Sequence, residues 1–223
     1  MARVSARKAA VLASASGGVS SESRLAILDT AARLFRELGY GSVSLRTVAG
    51  ECGMKAASLY HHFGSKDEIV SEVLRIGVDH TFRHVRAAVE ALAADASPQA
   101  LLGAAILAHL EAILAQQDYA SANVRIFGQV PAQIRAAHVG LREAYEAYWD
   151  GILARCVKMQ RGRRTTAEIR AARSFLLGAM NTTLDWFDAA RSPVERLAAE
   201  FAGIFLGGLS SKWASLPVTR TRK

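Results

Sequence analysis

Leu45-Arg46-Thr47-Val48-Ala49-Gly50-Glu51-Cys52-Gly53-Met54-Lys55-Ala56-Ala57-Ser58-Leu59-Tyr60-His61-His62-Phe63 reads as two short helical patterns joined by a tight turn. In the first pattern Leu45, Val48, Ala49 and Cys52 recur at inward spacing, while Arg46 and Thr47 point out. In the second, Leu59 and Phe63 face inward and leave Ser58, Tyr60, His61 and His62 to a partner. Gly53 sits where the turn between two helices demands a positive φ. This is helix-turn-helix spacing. A helix bearing hydroxyls and imidazoles on its outer face fits a DNA major groove, where those groups reach base edges or phosphates.

Moving outward, Ser65-Lys66-Asp67-Glu68 is a capping box that opens a long helix running to about residue 93, and Lys66 at its start is placed to pair with a backbone phosphate. On the other side, Ile27, Leu28, Ala31, Leu34, Phe35 and Leu38 mark one face of a first helix, with Gly39 after it in a left-handed stop position. Ser97-Pro98 opens a further helix, Tyr119 to Gly128 forms a shorter one, and Pro131 begins a long one that ends near Gln160 before Gly162. Thr165-Thr166-Ala167-Glu168 and Ser192-Pro193-Val194-Glu195 are two more capping boxes, predicting final helices over about 166–190 and 193–212. The fold class is all-α with about nine helices: an N-terminal three-helix helix-turn-helix domain and a C-terminal helical domain.

Gly39-Tyr40, Ser44-Leu45-Arg46-Thr47-Val48-Ala49, Gly53, Ser58-Leu59-Tyr60-His61-His62-Phe63 and Lys66-Asp67-Glu68 together resemble the DNA-binding segment of the tetracycline-repressor (TetR) family. The resemblance covers roughly residues 22 to 75 and implies a homodimeric, all-helical repressor. An effector in its C-terminal domain would shift the spacing of the two recognition helices and release double-stranded operator DNA. Carried over by position, it makes Ser44 the cap of the second helix and a phosphate contact, and Arg46 a phosphate or base contact. Lys55, Ala56 and Ser58 line the start of the recognition helix, Tyr60 and His62 hold phosphates, and His61 approaches bases. Lys55 departs from the family's usual capping Ser or Thr, and Ala57 from a frequent Gly. A missing capping acceptor costs about 1 kcal/mol, so the lysine is read as a phosphate contact instead.

On this reading residues 1–21 form a flexible basic arm, 22–68 the DNA-binding domain linked through helix 66–93, 69–212 the effector-binding and dimerisation domain, and 213–223 a flexible basic tail. The last helices carry apolar residues on more than one face: Phe175, Leu176, Leu177, Met180, Leu184 and Phe187 in one, Leu197, Phe201, Ile204, Phe205, Leu206 and Leu209 in the other. One face packs inward and another calls for a second copy, which places the homodimer contact there. Phe82, Phe127, Tyr145, Trp149, Asn181 and Trp186, with Tyr148, Arg125 and Asp185 as further candidates, suit a pocket for a small, largely apolar effector with a polar end.

Net charge is +8, which favours a polyanionic partner. Cys52 and Cys156 stand far apart with no companion at metal spacing, which fits a reducing, cytoplasmic setting. The apolar run Ala9-Ala10-Val11-Leu12-Ala13 is too short for the core of an export signal, and Phe201 to Leu209 is too short to span a membrane. His80 and His84 stand one helical turn apart without an identifiable third ligand, so no metal is expected. No nucleophile elbow, glycine-rich phosphate loop or spaced carboxylate pair points to catalysis or to a cofactor. Two alternatives stay open from the residues alone: a nonspecific nucleic-acid binder using its basic tails, and a helical ligand carrier or enzyme with a vestigial DNA module.

Overall fold

The computed structural model describes the backbone of residues 2–114 and 118–210 and, within them, the side chains of 21–114 and 118–208. Every regular element among the described residues is helical. In chain order they are α1 (Ala2–Ser42), α2 (Leu45–Glu51), α3 (Ala56–Tyr60), α4 (Lys66–Glu90), α5 (Pro98–Leu114), α6 (Asp118–Ile126), α7 (Ala132–Ala137), α8 (Val139–Met159), α9 (Thr166–Asn181), α10 (Thr183–Trp186) and α11 (Val194–Ser210). From Ala2 on, the stretch read as a flexible arm is helical and continuous with α1, in keeping with the strong helix preference of its many alanines. The expected tail 213–223 lies outside the described residues.

Caps fall where local chemistry put them. Ser97 Oγ accepts from Ala100 N at 3.1 Å, and Thr165 with Glu168 completes a reciprocal box in front of α9. Two helices are shorter than their apolar periodicity implied. The segment after Pro131 breaks at His138, whose backbone is at φ −103 and ψ 1, just before the weak helix formers Val139 and Gly140. The segment after Thr165 breaks at Thr182, where Thr182 Oγ1 donates to Ala179 O at 2.9 Å and Thr183 Oγ1 to Met180 O at 2.6 Å. These hydroxyls compete with the backbone ladder, which explains the interruption. α8 ends at Met159, and the left-handed residue beyond its end is Arg161, at φ 56, rather than Gly162.

The chain forms two compact units, Met1–His84 with Glu111–Tyr145, and Val85–Leu110 with Glu146–Lys223. The boundary expected at 68/69 therefore falls inside both α4 and the first unit, because α6 is bound to α1 and α4. Tyr119 OH donates to Asp29 at 2.6 Å, Arg36 pairs with Asp118 at 2.9 Å, and Asn123 Nδ2 donates to Leu74 O at 2.9 Å. The core of this unit joins Ile27, Ala31 and Phe35 of α1, Val48 and Ala49 of α2, Leu59 and Phe63 around α3, and Ile69, Val70, Val73 and Leu74 of α4. Leu38, placed on the apolar face from the sequence, is instead half exposed.

In the second unit the buried side chains come from α5 (Leu101, Leu102, Ile106), α8 (Trp149, Ile152, Leu153, Cys156), α9 (Ile169, Leu176, Met180) and α11 (Leu197, Ala202, Leu206). Arg173 of α9 is clamped between Glu146 at 2.9 Å and Asp150 at 2.8 Å of α8. Among the described residues no single helix is long and apolar enough to cross a membrane.

The α4–α6 contact depends on Gly77, where an added Cβ would lie 2.3 Å from the Tyr119 carbonyl oxygen. Backbone cannot yield as a side-chain tip can. Gly77→Ala should destabilise the protein by about 1–3 kcal/mol through overpacking and lower Tm by several degrees. Gly50→Ala, with nothing within 4 Å of its added methyl, should leave Tm unchanged or raise it; thermal denaturation followed by circular dichroism checks both.

Candidate nucleic-acid interface

α2 begins at Ser44, which is extended at φ −116 and ψ 161 and accepts from Thr47 N through Oγ at 3.1 Å. The oxygen that satisfies an orphan amide also meets Thr47 Oγ1 at 2.8 Å. Gly53 supplies the turn's positive φ of 66, and Met54 N closes it on Ala49 O at 2.9 Å. Lys55 then leads into α3 from an extended backbone with no side-chain cap, as its sequence position implied.

α3 holds only five residues and stands on its inner side. Leu59 is fully buried and Phe63 nearly so. The Arg24 guanidinium, from α1, lies 3.8 Å over the Phe63 ring, donates to the His62 carbonyl and reaches Glu68 Oε1 at 3.2 Å. Glu68 in turn accepts from Gly64 N at 2.9 Å, while Ser65 Oγ accepts from Glu68 N at 3.2 Å. The capping box is thus shifted by one residue, with Gly64 rather than Ser65 presenting its amide to the carboxylate.

The outer side carries the residues the sequence nominated. Ser44, Arg46, Lys55, Ser58, Tyr60 and His61 are exposed, with Tyr60 at 56 %. Ala56 and His62 are half-buried at the edges. Lys66 stands apart from them. Its ammonium donates to Tyr40 O and sits 3.8 Å over the Tyr40 ring, and burial lowers its pKa against the opposing pull of Asp67. It ties the start of α4 to the end of α1 and is half-buried there. Sequence reasoning missed Arg24 altogether, because nothing local signals a partner 38 residues away.

The candidate effector residues divide between the two units. In the first, the Phe82 and Tyr145 rings are 5.4 Å apart, and Phe127 lies 3.9 Å beneath the Arg142 guanidinium. In the second, fully buried Trp149 meets the ring of His109 edge-on at 6.1 Å, and His109 Nε2 lies 3.1 Å from Asn181 Oδ1. Trp186 is 55 % exposed beside Phe187. Arg125 and Asp185 are exposed as well. His109 was not singled out from the sequence, yet it links two residues that were. Desolvation pushes its pKa down to about 4, against the hydrogen bond that its ring N–H donates to Asn181 Oδ1, so the imidazole is neutral at physiological pH.

His80 and His84 stack at 6.2 Å, and His84 Nε2 lies 3.1 Å from Glu111 Oε2. Among the described residues no group of three or more His, Cys, Asp or Glu is gathered to hold a metal ion.

Comparison with known proteins follows the same lines. Residues 27–73 match the family model of bacterial regulatory proteins, tetR family, and residues 95–209 match that of the tetracyclin repressor-like C-terminal domain. The HTH-type transcriptional repressor KstR2 of Rhodococcus jostii is 30 % identical over 190 residues, which cover 84 % of this chain and 91 % of that protein. The crystal structure of the TetR family regulator PfmR from Thermus thermophilus aligns with a TM-score of 0.68 and 28 % identity, covering 81 % of this chain and 93 % of that one. The structure of AibR in complex with isovaleryl coenzyme A and operator DNA shares the fold, with a TM-score of 0.66, 22 % identity, and coverage of 82 % and 96 %.

The buried His109 gives a signed pH dependence. An unfolded chain protonates this histidine near pH 6.5, whereas the native state refuses the proton until about pH 4. Stability from this group is therefore complete above the unfolded value and is lost as pH falls through this window. Tm should drop between pH 7 and pH 5, and the drop should be shallower in His109→Gln, which keeps a hydrogen-bonding side chain without titrating in this range. Thermal melts across pH measure the slope, and NMR should find the His109 ring signals constant above pH 5.

Proposed function

Because the chain belongs to the tetR family of bacterial regulatory proteins, we propose that it is a cytoplasmic transcriptional repressor that binds palindromic operator DNA and is released by a small, largely apolar effector. The family is one of regulators, not of enzymes. One observation carries the reading: Arg46, Lys55, Ser58, Tyr60 and His61 are exposed on a turn and helix whose opposite side is buried through Val48, Ala49, Leu59 and Phe63. A short rigid helix with this division offers its outer edge to a major groove. Arg46 and Lys55 contribute charge toward phosphates, and His61 and Ser58 contribute groups that reach base edges.

The dimer is made through α9 and α11. Phe175 and Ile204 are 70 % and 72 % exposed, and Phe175 stacks on Phe205 at 6.2 Å. Apolar side chains this exposed on two neighbouring helices are buried at low cost by a second copy. Residues 22–68 then carry DNA recognition and 69–212 carry effector binding and dimerisation. Trp149 and Asn181, joined by His109, are the effector contacts proposed in the second unit, together with Trp186 at its surface. Phe82, Phe127 and Tyr145 are those proposed in the first. KstR2 is a repressor, which supports repression, and AibR is described with isovaleryl coenzyme A, which supports a small-molecule effector carrying an apolar acyl part.

Footprinting on DNA upstream of the gene should show a protected palindrome with half-sites about one helical turn apart. Arg46→Gln or Lys55→Gln should weaken binding to all sequences and reduce the salt slope by about 1. His61→Ala should relax preference at one base position by about 1–3 kcal/mol. Protection spread evenly over any duplex, with no preferred site, would contradict specific repression and favour a nonspecific binder.

A further inference from the structure

The segment Arg155-Cys156-Val157-Lys158-Met159-Gln160-Arg161-Gly162-Arg163-Arg164 places five cations in ten residues at the end of α8 and in the loop before α9. A cleft of about 240 Å³ opens there, flanked by Lys158, Arg163 and Arg164 over a floor of Ala154, Val157 and Ile169. All of these residues belong to the second unit, away in sequence from the groove-facing turn and helix.

Several other arginines of the second unit are neutralised by carboxylates: Arg86 by Glu90, Arg173 by Glu146 and Asp150, Arg191 by Asp188, and Arg196 by Glu200. Arg170, next in sequence to the floor residue Ile169, forms no ion pair among the described residues. Around the cleft the pattern changes. Arg164 reaches Glu168 at 3.5 Å, but Arg155, Lys158, Arg161 and Arg163 form no ion pair among the described residues. Glu168 is already engaged on both oxygens: Oε2 accepts from Thr165 N at 2.7 Å and from Thr165 Oγ1 at 3.0 Å, and Oε1 faces Arg164. Compensation of the helix dipole accounts for Arg155 and Lys158 on the last turns of α8, but not for three arginines beyond its end. The loop also holds Arg161 in the left-handed region at φ 56, one residue before Gly162, while Gly162 N closes on Val157 O at 2.8 Å. A left-handed arginine beside an available glycine is strained backbone, and of the five cations Lys158, Arg163 and Arg164 line the cleft itself.

From the cleft and its unneutralised cations, we propose that the end of α8 and the loop before α9 form a binding site for a small phosphorylated molecule carrying at least a diphosphate. Guanidinium forks bind phosphate oxygens in pairs, and a lysine adds a point charge. The apolar floor takes part of the organic body that bears the phosphates. A concave site of this volume favours a compact anion over a duplex, which needs a convex edge. The proposal goes beyond the operator-binding reading and does not rest on it.

Inorganic pyrophosphate is the probe, titrated calorimetrically into the full-length protein at low, fixed ionic strength. The wild type and the Arg46→Gln/Lys55→Gln variant should bind it with affinities within about twofold of each other. Lys158→Gln/Arg163→Gln should bind about tenfold more weakly or worse, as expected for lost charge-assisted hydrogen bonds. Its circular dichroism and Tm should match the wild type because both side chains are exposed. Arg163→Lys, which keeps the charge, should recover part of the affinity. Equal binding by the Lys158→Gln/Arg163→Gln variant would overturn the proposal. So would equal heat from sulfate at matched ionic strength, or retention only by vesicles of phosphatidylcholine containing phosphatidic acid. Loss of affinity in Arg46→Gln/Lys55→Gln instead would place the phosphate on the DNA-facing surface and overturn it too.

Discussion

Burial of Leu59 and Phe63 beneath the Arg24 guanidinium is the constraint on which the DNA-facing surface depends. A helix of five residues is far below the length at which an isolated helix persists in water, about 12–15 residues. α3 is therefore held by tertiary contacts. Leu59 and Phe63 anchor it to the core shared by α1, α2 and α4. Arg24 adds a cation–π contact, worth about 0.5–2 kcal/mol, and a hydrogen bond to the carbonyl of His62. Glu68 neutralises the same arginine and caps the entry to α4. The groove-facing side chains borrow their order from this inner arrangement.

Charge is divided in a way that matches use. Much of the arginine complement is absorbed into ion pairs on helix faces, as with Arg33 and Glu37, Arg83 and Asp79, or Arg196 and Glu200. These exposed pairs contribute little to stability, but they remove positive charge from surfaces that have no anionic partner. Arg46 and Lys55 are left outside such pairs on the face turned to DNA, and Lys158 and Arg163 at the cleft beyond α8. Residues 21–210 carry 21 Lys and Arg against 20 Asp and Glu, so these two places are local excesses of cation on a nearly neutral body, and most of the net charge of +8 belongs to residues 1–20 and 211–223.

What the sequence made legible was local. Ser44, Ser97 and the Thr165–Glu168 box act across three residues, and the turn glycine at 53 answers a steric demand that any chain would face. Inward spacing placed Val48, Ala49, Leu59 and Phe63 in the core because period and burial are directly linked. Contacts between distant segments left no such trace. Arg24 with His62, and His109 with Asn181 at a separation of 72 residues, join groups whose neighbours in sequence say nothing of each other. The breaks at His138 and Thr182 escaped notice since apolar periodicity continues across them while backbone bonding does not. Lys66 showed the complementary error: a cation at a helix start resembled a free phosphate ligand, but an aromatic ring and a carbonyl from Tyr40 already occupy it. Trp186 was read as suited to an effector pocket from its residue type, and it stands 55 % exposed.

Hydrogen exchange with and without a duplex from the upstream region tests the central claim most directly, since it locates the contact without altering a residue. Amides from Ser44 through His62 should slow markedly when the duplex is bound. Unchanged exchange across that segment, with slowing confined to residues 155–164 or to the N-terminal part of α1, would contradict the assignment of α2 and α3 as the surface that reads DNA.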